Sequence, residues 1–142
     1  MCYNYSVKNV DVAKKLLVGD KTCILVKGDE IIESEERGIK PMMALISNAT
    51  DLSGFSVADK IVGKAAAMLF VLAQIEEVYA EVISEKGIKI LEEHSIPYSY
   101  LTKTDSIINR KGDDICPMEK TVMEIDNPKE AYEALYQKIR SL

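Results

Sequence analysis

Ser56-Val57-Ala58-Asp59-Lys60-Ile61-Val62-Gly63-Lys64-Ala65-Ala66-Ala67 leads from a polar loop into the longest apolar run of the chain, Ala65 to Ala73. The reading of these residues decides the architecture. Ser56 and Asp59 stand three apart, the spacing of a capping box with Asp in place of the usual Glu, and this predicts a central helix opening at Ser56. Lys60 and Lys64 would then share one helical face, one turn apart. Gly63 would fall in the helix interior, where glycine costs roughly 1 kcal/mol against alanine and signals close approach of a backbone or ligand. The unbroken apolar run predicts a helix buried on all sides, packed under a sheet. It is far short of the ~20 residues needed to span a bilayer.

Outward from this helix the signals alternate. Asp11 to Val18 reads as a short helix with Val12, Leu16 and Leu17 on one face. Cys23–Val26 and Glu30–Glu33, separated by Gly28-Asp29, form the clearest hairpin. Pro41 suits the first turn of a helix over Met42–Ser47, and Asn48–Phe55 is a loop. Val78–Ile83 reads as a strand, Ser84 caps a helix over Glu85–Glu93, and Pro97–Leu101 alternates like a strand. Lys103–Ile115 is polar and irregular. Cys116-Pro117 begins a short helix, and Asn127, Pro128 and Glu130 open a C-terminal one with Tyr132, Leu135, Tyr136, Ile139 and Leu142 as its stripe. The expected order is α-β-β-α-α-β-α-β followed by a loop and helices. That is a single α/β domain over residues 1–142, with a mixed sheet between helical layers.

Composition narrows function. The chain has 142 residues, 47% hydrophobic and 29% charged, with a net charge of −5. An acidic balance argues against nucleic-acid binding, and no apolar segment suggests a membrane or export signal. Three scattered cysteines, Cys2, Cys23 and Cys116, point to reduced thiols and a cytoplasmic setting. One histidine and no paired Cys spacing argue against a tetrahedral metal site, and no motif calls for a cofactor.

Three places can carry chemistry. In the first, Lys64 adjoins the buried helix and either snorkels outward or lines a polar cavity, with Ser56, Asp59 and Lys60 nearby. Asp59 as a cap and Lys60 as a solvated charge are the plain alternatives. The second is Asn109-Arg110-Lys111-Gly112-Asp113-Asp114-Ile115-Cys116-Pro117-Met118-Glu119. A cysteine beside a helix start, with basic residues upstream, is how a nucleophilic thiolate is made, while a buried, inert thiol is the equal alternative. Glu119 is either a ligand contact or a first-turn acid. In the third, Ser84-Glu85 ends a strand and starts a helix, where open α/β sheets bind ligands and exposed amides bind anions; capping alone also explains Ser84.

Together, Ser56–Ala67, Tyr79-Ala80-Glu81-Val82-Ile83-Ser84-Glu85, Ile108–Asp113 and Cys116-Pro117-Met118-Glu119 resemble the uncharacterised-domain family numbered 1893, which is similar to the cytidine-deaminase-like fold. The resemblance covers nearly the whole chain and implies a three-layer α/β/α domain. It implies no settled activity. Zinc deaminases carry His-x-Glu or Cys-x-Glu at the central helix start and Pro-Cys-x-x-Cys at the next. Here those places hold Ala58-Asp59-Lys60 and Ser84-Glu85-Lys86-Gly87, so the resemblance supports a pocket and not the zinc reaction. Deaminase-like domains commonly associate through helices, which implies a homo-oligomer, a dimer first. The resulting expectation is a domain binding a small nucleotide-like or anionic ligand through Ser56, Lys60, Ser84, Glu85, Asn109, Arg110 and Glu119. The alternative is a metal-independent enzyme with Cys116 as nucleophile and Asp59 and Lys64 transferring protons.

Overall fold

A computed structural model of the chain describes residues 7–142. Cys2, expected as an exposed reference thiol, lies outside them. The element order is α1 (Asn9–Leu16), β1 (Cys23–Lys27), β2 (Glu30–Ser34), α2 (Lys40–Ser47), β3 (Ser56–Val62), α3 (Lys64–Leu72), β4 (Glu77–Ser84), α4 (Glu85–Glu93), β5 (Tyr98–Thr104), α5 (Pro117–Val122) and α6 (Pro128–Arg140). One sheet has the order β2-β1-β3-β4-β5. β1 runs antiparallel to both β2 and β3, whereas β3, β4 and β5 are parallel. This is the mixed α/β/α architecture.

The decisive stretch folds differently from the helix expected of it. Ser56–Val62 is a strand in the middle of the sheet, and the helix starts only at Lys64. A strand covered on both faces loses the polar alternation that identifies a strand, and Asp59 and Lys60 imitated the polar start of a helix. The β-branched Val57, Ile61 and Val62 favour the extended state. Consequently Ser56 and Asp59 form no capping box, Lys60 and Lys64 do not share a helical face, and Gly63 is the N-cap residue of α3 rather than an interior one.

Elsewhere the local chemistry acts as expected. Gly28 takes the left-handed conformation (φ 59°) that a two-residue hairpin turn needs, and Lys27 pairs with Glu30 across it. Asn127 Oδ1 accepts from the N–H groups of Lys129 and Glu130, capping α6. α1 alone, among the described residues, packs on one face of the sheet, against β1, β3 and β4. Ile24, Val26, Ala58 and Tyr79 meet Val10, Ala13 and Leu17 there. On the other face α3 and α4 lie on the parallel strands, α2 packs beside α3, and α5 and α6 stack behind it. α3 is therefore enclosed by sheet and helices, and every residue from Lys64 to Phe70 is buried.

One irregularity shapes the working edge of the sheet. Val57, Val78 and Ala80 face the α3 layer, yet so do Val62 and Ile83, which strict alternation would turn the other way. Between them, Lys60–Ile61 and Glu81–Val82 are all partly or fully exposed, and the β3–β4 ladder skips Lys60 and Glu81. Both strands thus slip by one residue at the same level. The Asp59 carboxylate accepts from the Ile61 N–H (3.3 Å) inside the slip.

Candidate functional site

The parallel strands β3, β4 and β5 end on a common edge. Gly63 alone separates β3 from α3, and Ser84 ends β4 as the N-cap of α4. Two helix N-termini therefore point at the crevice where open sheets place ligands. The buried Ser84 Oγ accepts from the Gly87 N–H (3.0 Å). A Cβ on Gly87 would lie 3.1 and 3.2 Å from the carbonyl oxygens of Val62 and Gly63, so the first turn of α4 rests on the β3–α3 junction.

Glu119 enters this crevice from α5. Its carboxylate accepts from the N–H groups of Lys64 (2.8 Å) and Ala65 (3.0 Å), supplying α3 with the cap that Gly63 lacks. Gly63 is required for it, because a Cβ there would stand 2.4 Å from Glu119 Oε1. Lys64 bends along the same wall. It is more than nine-tenths buried, its Nζ donates to the Met123 carbonyl (3.1 Å), and the exposed Asp126 carboxylate lies 3.8 Å away. These groups enclose a cavity of about 20 Å³ lined by Lys64, Ser84, Lys86, Asp105, Ile115 and Glu119, among others. That is room for one water. The crevice is closed by the chain's own carboxylate.

Of the residues singled out in the sequence, Lys64, Ser84 and Glu119 meet at this cavity. Glu85 occupies the first turn of α4, exposed and outside the lining. Ser56 is buried at the opposite end of β3. Lys60 turns away and donates to the Gly19 carbonyl (3.2 Å). Asn109 organises the loop before α5: its Oδ1 accepts from Gly112 and Asp113 N–H, and its amide donates to Asp113. Arg110 is exposed in that turn. Cys116 is the half-buried N-cap residue of α5, and its N–H donates to the Ile107 carbonyl.

Asp59 sits apart from the crevice, beneath the helical layer beside Cys23, its cross-strand partner. Burial pushes its carboxyl up to about 7, against the pull of the Ile61 and Lys60 N–H groups and the Cys23 thiol. Burial, with the Asp59 charge second, holds Cys23 well above the ordinary thiol range. Burial thus favours the neutral form of both groups, and the Asp59 charge further resists ionisation of Cys23.

Sequence reasoning missed Lys86, Asp105, Ser106, Ile107, Ile115 and Met123 in the cavity wall. A signal existed for two of them. Lys86 follows the Ser84 cap, and Asp105 follows β5 on the edge where ligands gather. No group of three or more His, Cys, Asp or Glu side chains suited to a metal occurs among the described residues. The start of α3 reads Gly63-Lys64-Ala65-Ala66, with no Cys or His, and Ala58-Asp59-Lys60, expected at a helix start, lies within β3.

Comparison with a solved structure of high similarity agrees with this fold. The model for a domain of unknown function, DUF1893, matches residues 11–139. The crystal structure of a DUF1893 family protein, TM1506 from Thermotoga maritima, is similar at a TM-score of 0.84 and 31% identity, covering 97% of this chain and 95% of that one. A dCMP deaminase from the cyanophage S-TIM5, in apo form, overlaps at a TM-score of 0.44 and 13% identity, over 56% of this chain and 79% of that one. No curated protein matches the chain.

Proposed function

Starting from a chain that belongs to the DUF1893 family of domains of unknown function, we propose that it binds a small anionic ligand at the N-terminus of α3. One observation carries the reading: the Lys64 and Ala65 amides already hold a carboxylate, with the Lys64 and Lys86 side chains lining the same cavity. A ligand carboxylate or phosphate, the latter as in a nucleotide, replaces Glu119 on these amides. The ligand's body enters as the six-residue α5 and the loop tied by Asn109 move outward. Glu119 then acts as a resident competitor that sets the affinity. The net charge of −5 offers no general attraction for nucleic acid, which favours a small-molecule partner, and the three scattered cysteines suit a reducing, cytoplasmic setting.

The enzyme alternative draws less support. Neither Asp59 nor Cys116 lines the cavity that Lys64 does, so the three are not assembled around one ligand volume. Catalysis, if present, falls to Lys64, Lys86 and Ser84.

The test is thermal unfolding of the wild type and Glu119→Gln with inorganic phosphate, a short dicarboxylate, nucleosides and nucleoside monophosphates, with product analysis of each mixture. Saturating ligand at about a hundred times its Kd stabilises by about 2.7 kcal/mol. The reading expects stabilisation by anions, larger in Glu119→Gln, and none by nucleosides. Equal stabilisation by nucleosides, or none by any anion, refutes it.

A further inference from the structure

β5 ends the sheet with its outer edge unpaired among the described residues, under α4 on one face and with most of its side chains exposed. Leu101 is 73% exposed and Tyr100 43%. Open edges are usually guarded by charge, proline or brevity. The opposite edge, β2, is guarded by exposed Glu30 and Glu33. β5, Tyr98-Ser99-Tyr100-Leu101-Thr102-Lys103-Thr104, has seven residues, no proline, no carboxylate and one lysine. α6 buries Ala131 and Leu135 against α3 and α5, and Tyr136 of its stripe stays exposed.

We propose that β5 pairs antiparallel with β5 of a second copy of this chain, about a two-fold axis through Leu101, joining the sheets. The sequence is self-complementary in that register. Leu101 meets Leu101, Tyr100 meets Thr102 as an aromatic and β-branched pair, and Lys103 meets Ser99 rather than another lysine. The helical layer selects the same partner. α4 carries Lys86 and Lys89 beside Glu85 toward its start, and Glu92 and Glu93 toward its end, so its start is net basic and its end acidic. The first end lies over the end of β5, where Lys86 and Asp105 share a cavity wall. The second lies over its beginning, where Tyr98 Oη donates to Glu92 (2.6 Å). The two-fold sets α4 antiparallel to its copy, basic end against acidic end, which an unrelated extended peptide would not match.

Sedimentation of the full chain across a concentration series tests this. The wild type should dimerise. Leu101→Asp, an exposed site that leaves the core intact, should raise the dimer Kd at least about tenfold, by placing two charges on the axis. Lys89→Glu should weaken it and Lys89→Glu/Glu92→Lys should restore it. Leu101→Cys should give an oxidative cross-link that the wild type lacks. A wild type that stays monomeric overturns the proposal. So does a dimer indifferent to Leu101→Asp, or one lost instead through Tyr136→Asp on α6.

Discussion

Replacing Asp59 by Asn removes the one carboxyl that, among the described residues, the fold buries, and its effect depends on pH. The ordinary aspartate value of 3.8 rises to about 7 in the folded chain. Below pH 4 the group is protonated whether the chain is folded or not. As pH rises from 4 to 7 the unfolded chain releases the proton while the folded chain keeps it. The unfolded state therefore gains, and stability falls by up to about 1.4 kcal/mol per pH unit. Above pH 7 the loss is complete, on the order of 4 kcal/mol. Asparagine keeps the shape and the acceptor for the Ile61 N–H but cannot ionise. Urea unfolding of both proteins from pH 4 to 8 measures the difference. Asp59→Asn should be at least as unstable as the wild type at pH 4 and gain on it steadily, by several kcal/mol at pH 7.5. Asp51 and Asp114, held below the ordinary range by Ser53 and Lys120 respectively, act in the opposite direction but are common to both proteins. A stability difference that is flat with pH would refute the buried acid.

Three further outcomes follow from single contacts. Gly63→Ala should push the Glu119 carboxylate off α3, losing about 1–3 kcal/mol in thermal or urea unfolding, while Gly63→Ala in a Glu119→Gln background should cost visibly less. Ser84→Ala, which removes the α4 cap, should cost about 1 kcal/mol in the same assay. In native alkylation followed by mass spectrometry, Cys116 should react well before the buried Cys23, and an anion bound at α3 should change the Cys116 rate alone.

Signals confined to a few neighbouring residues were legible. The Gly28 hairpin, the Ser84 cap and the Asn127-Pro128 start of α6 need only local chemistry, and each forms where expected. β3 was not legible, because a central strand answers to its neighbours. Asp59 and Lys60 read as helix-start polarity until β1 and β4 are set beside them and α1 and α3 above and below. The cavity was half legible for a related reason. Lys64 and Ser84 stand at strand ends, which a rule about sheet edges can find. The Glu119 contact spans 55 residues of sequence. A first-turn acid of α5 looks the same whether it caps its own helix or another one. Likewise the exposed face of β5 could not be foreseen from its alternation, which predicts one covered face.

The central claim is that the Lys64 and Ala65 amides form an anion site occupied by Glu119 until a ligand replaces it. Titration of ¹⁵N-labelled wild type and Glu119→Gln with inorganic phosphate and a nucleoside monophosphate, followed through backbone amide shifts, tests it residue by residue. The account predicts saturable shifts at Lys64 and Ala65 in both proteins, with tighter binding in Glu119→Gln. Shifts that leave Lys64 and Ala65 unmoved, or affinities unchanged by the loss of the Glu119 charge, would contradict it.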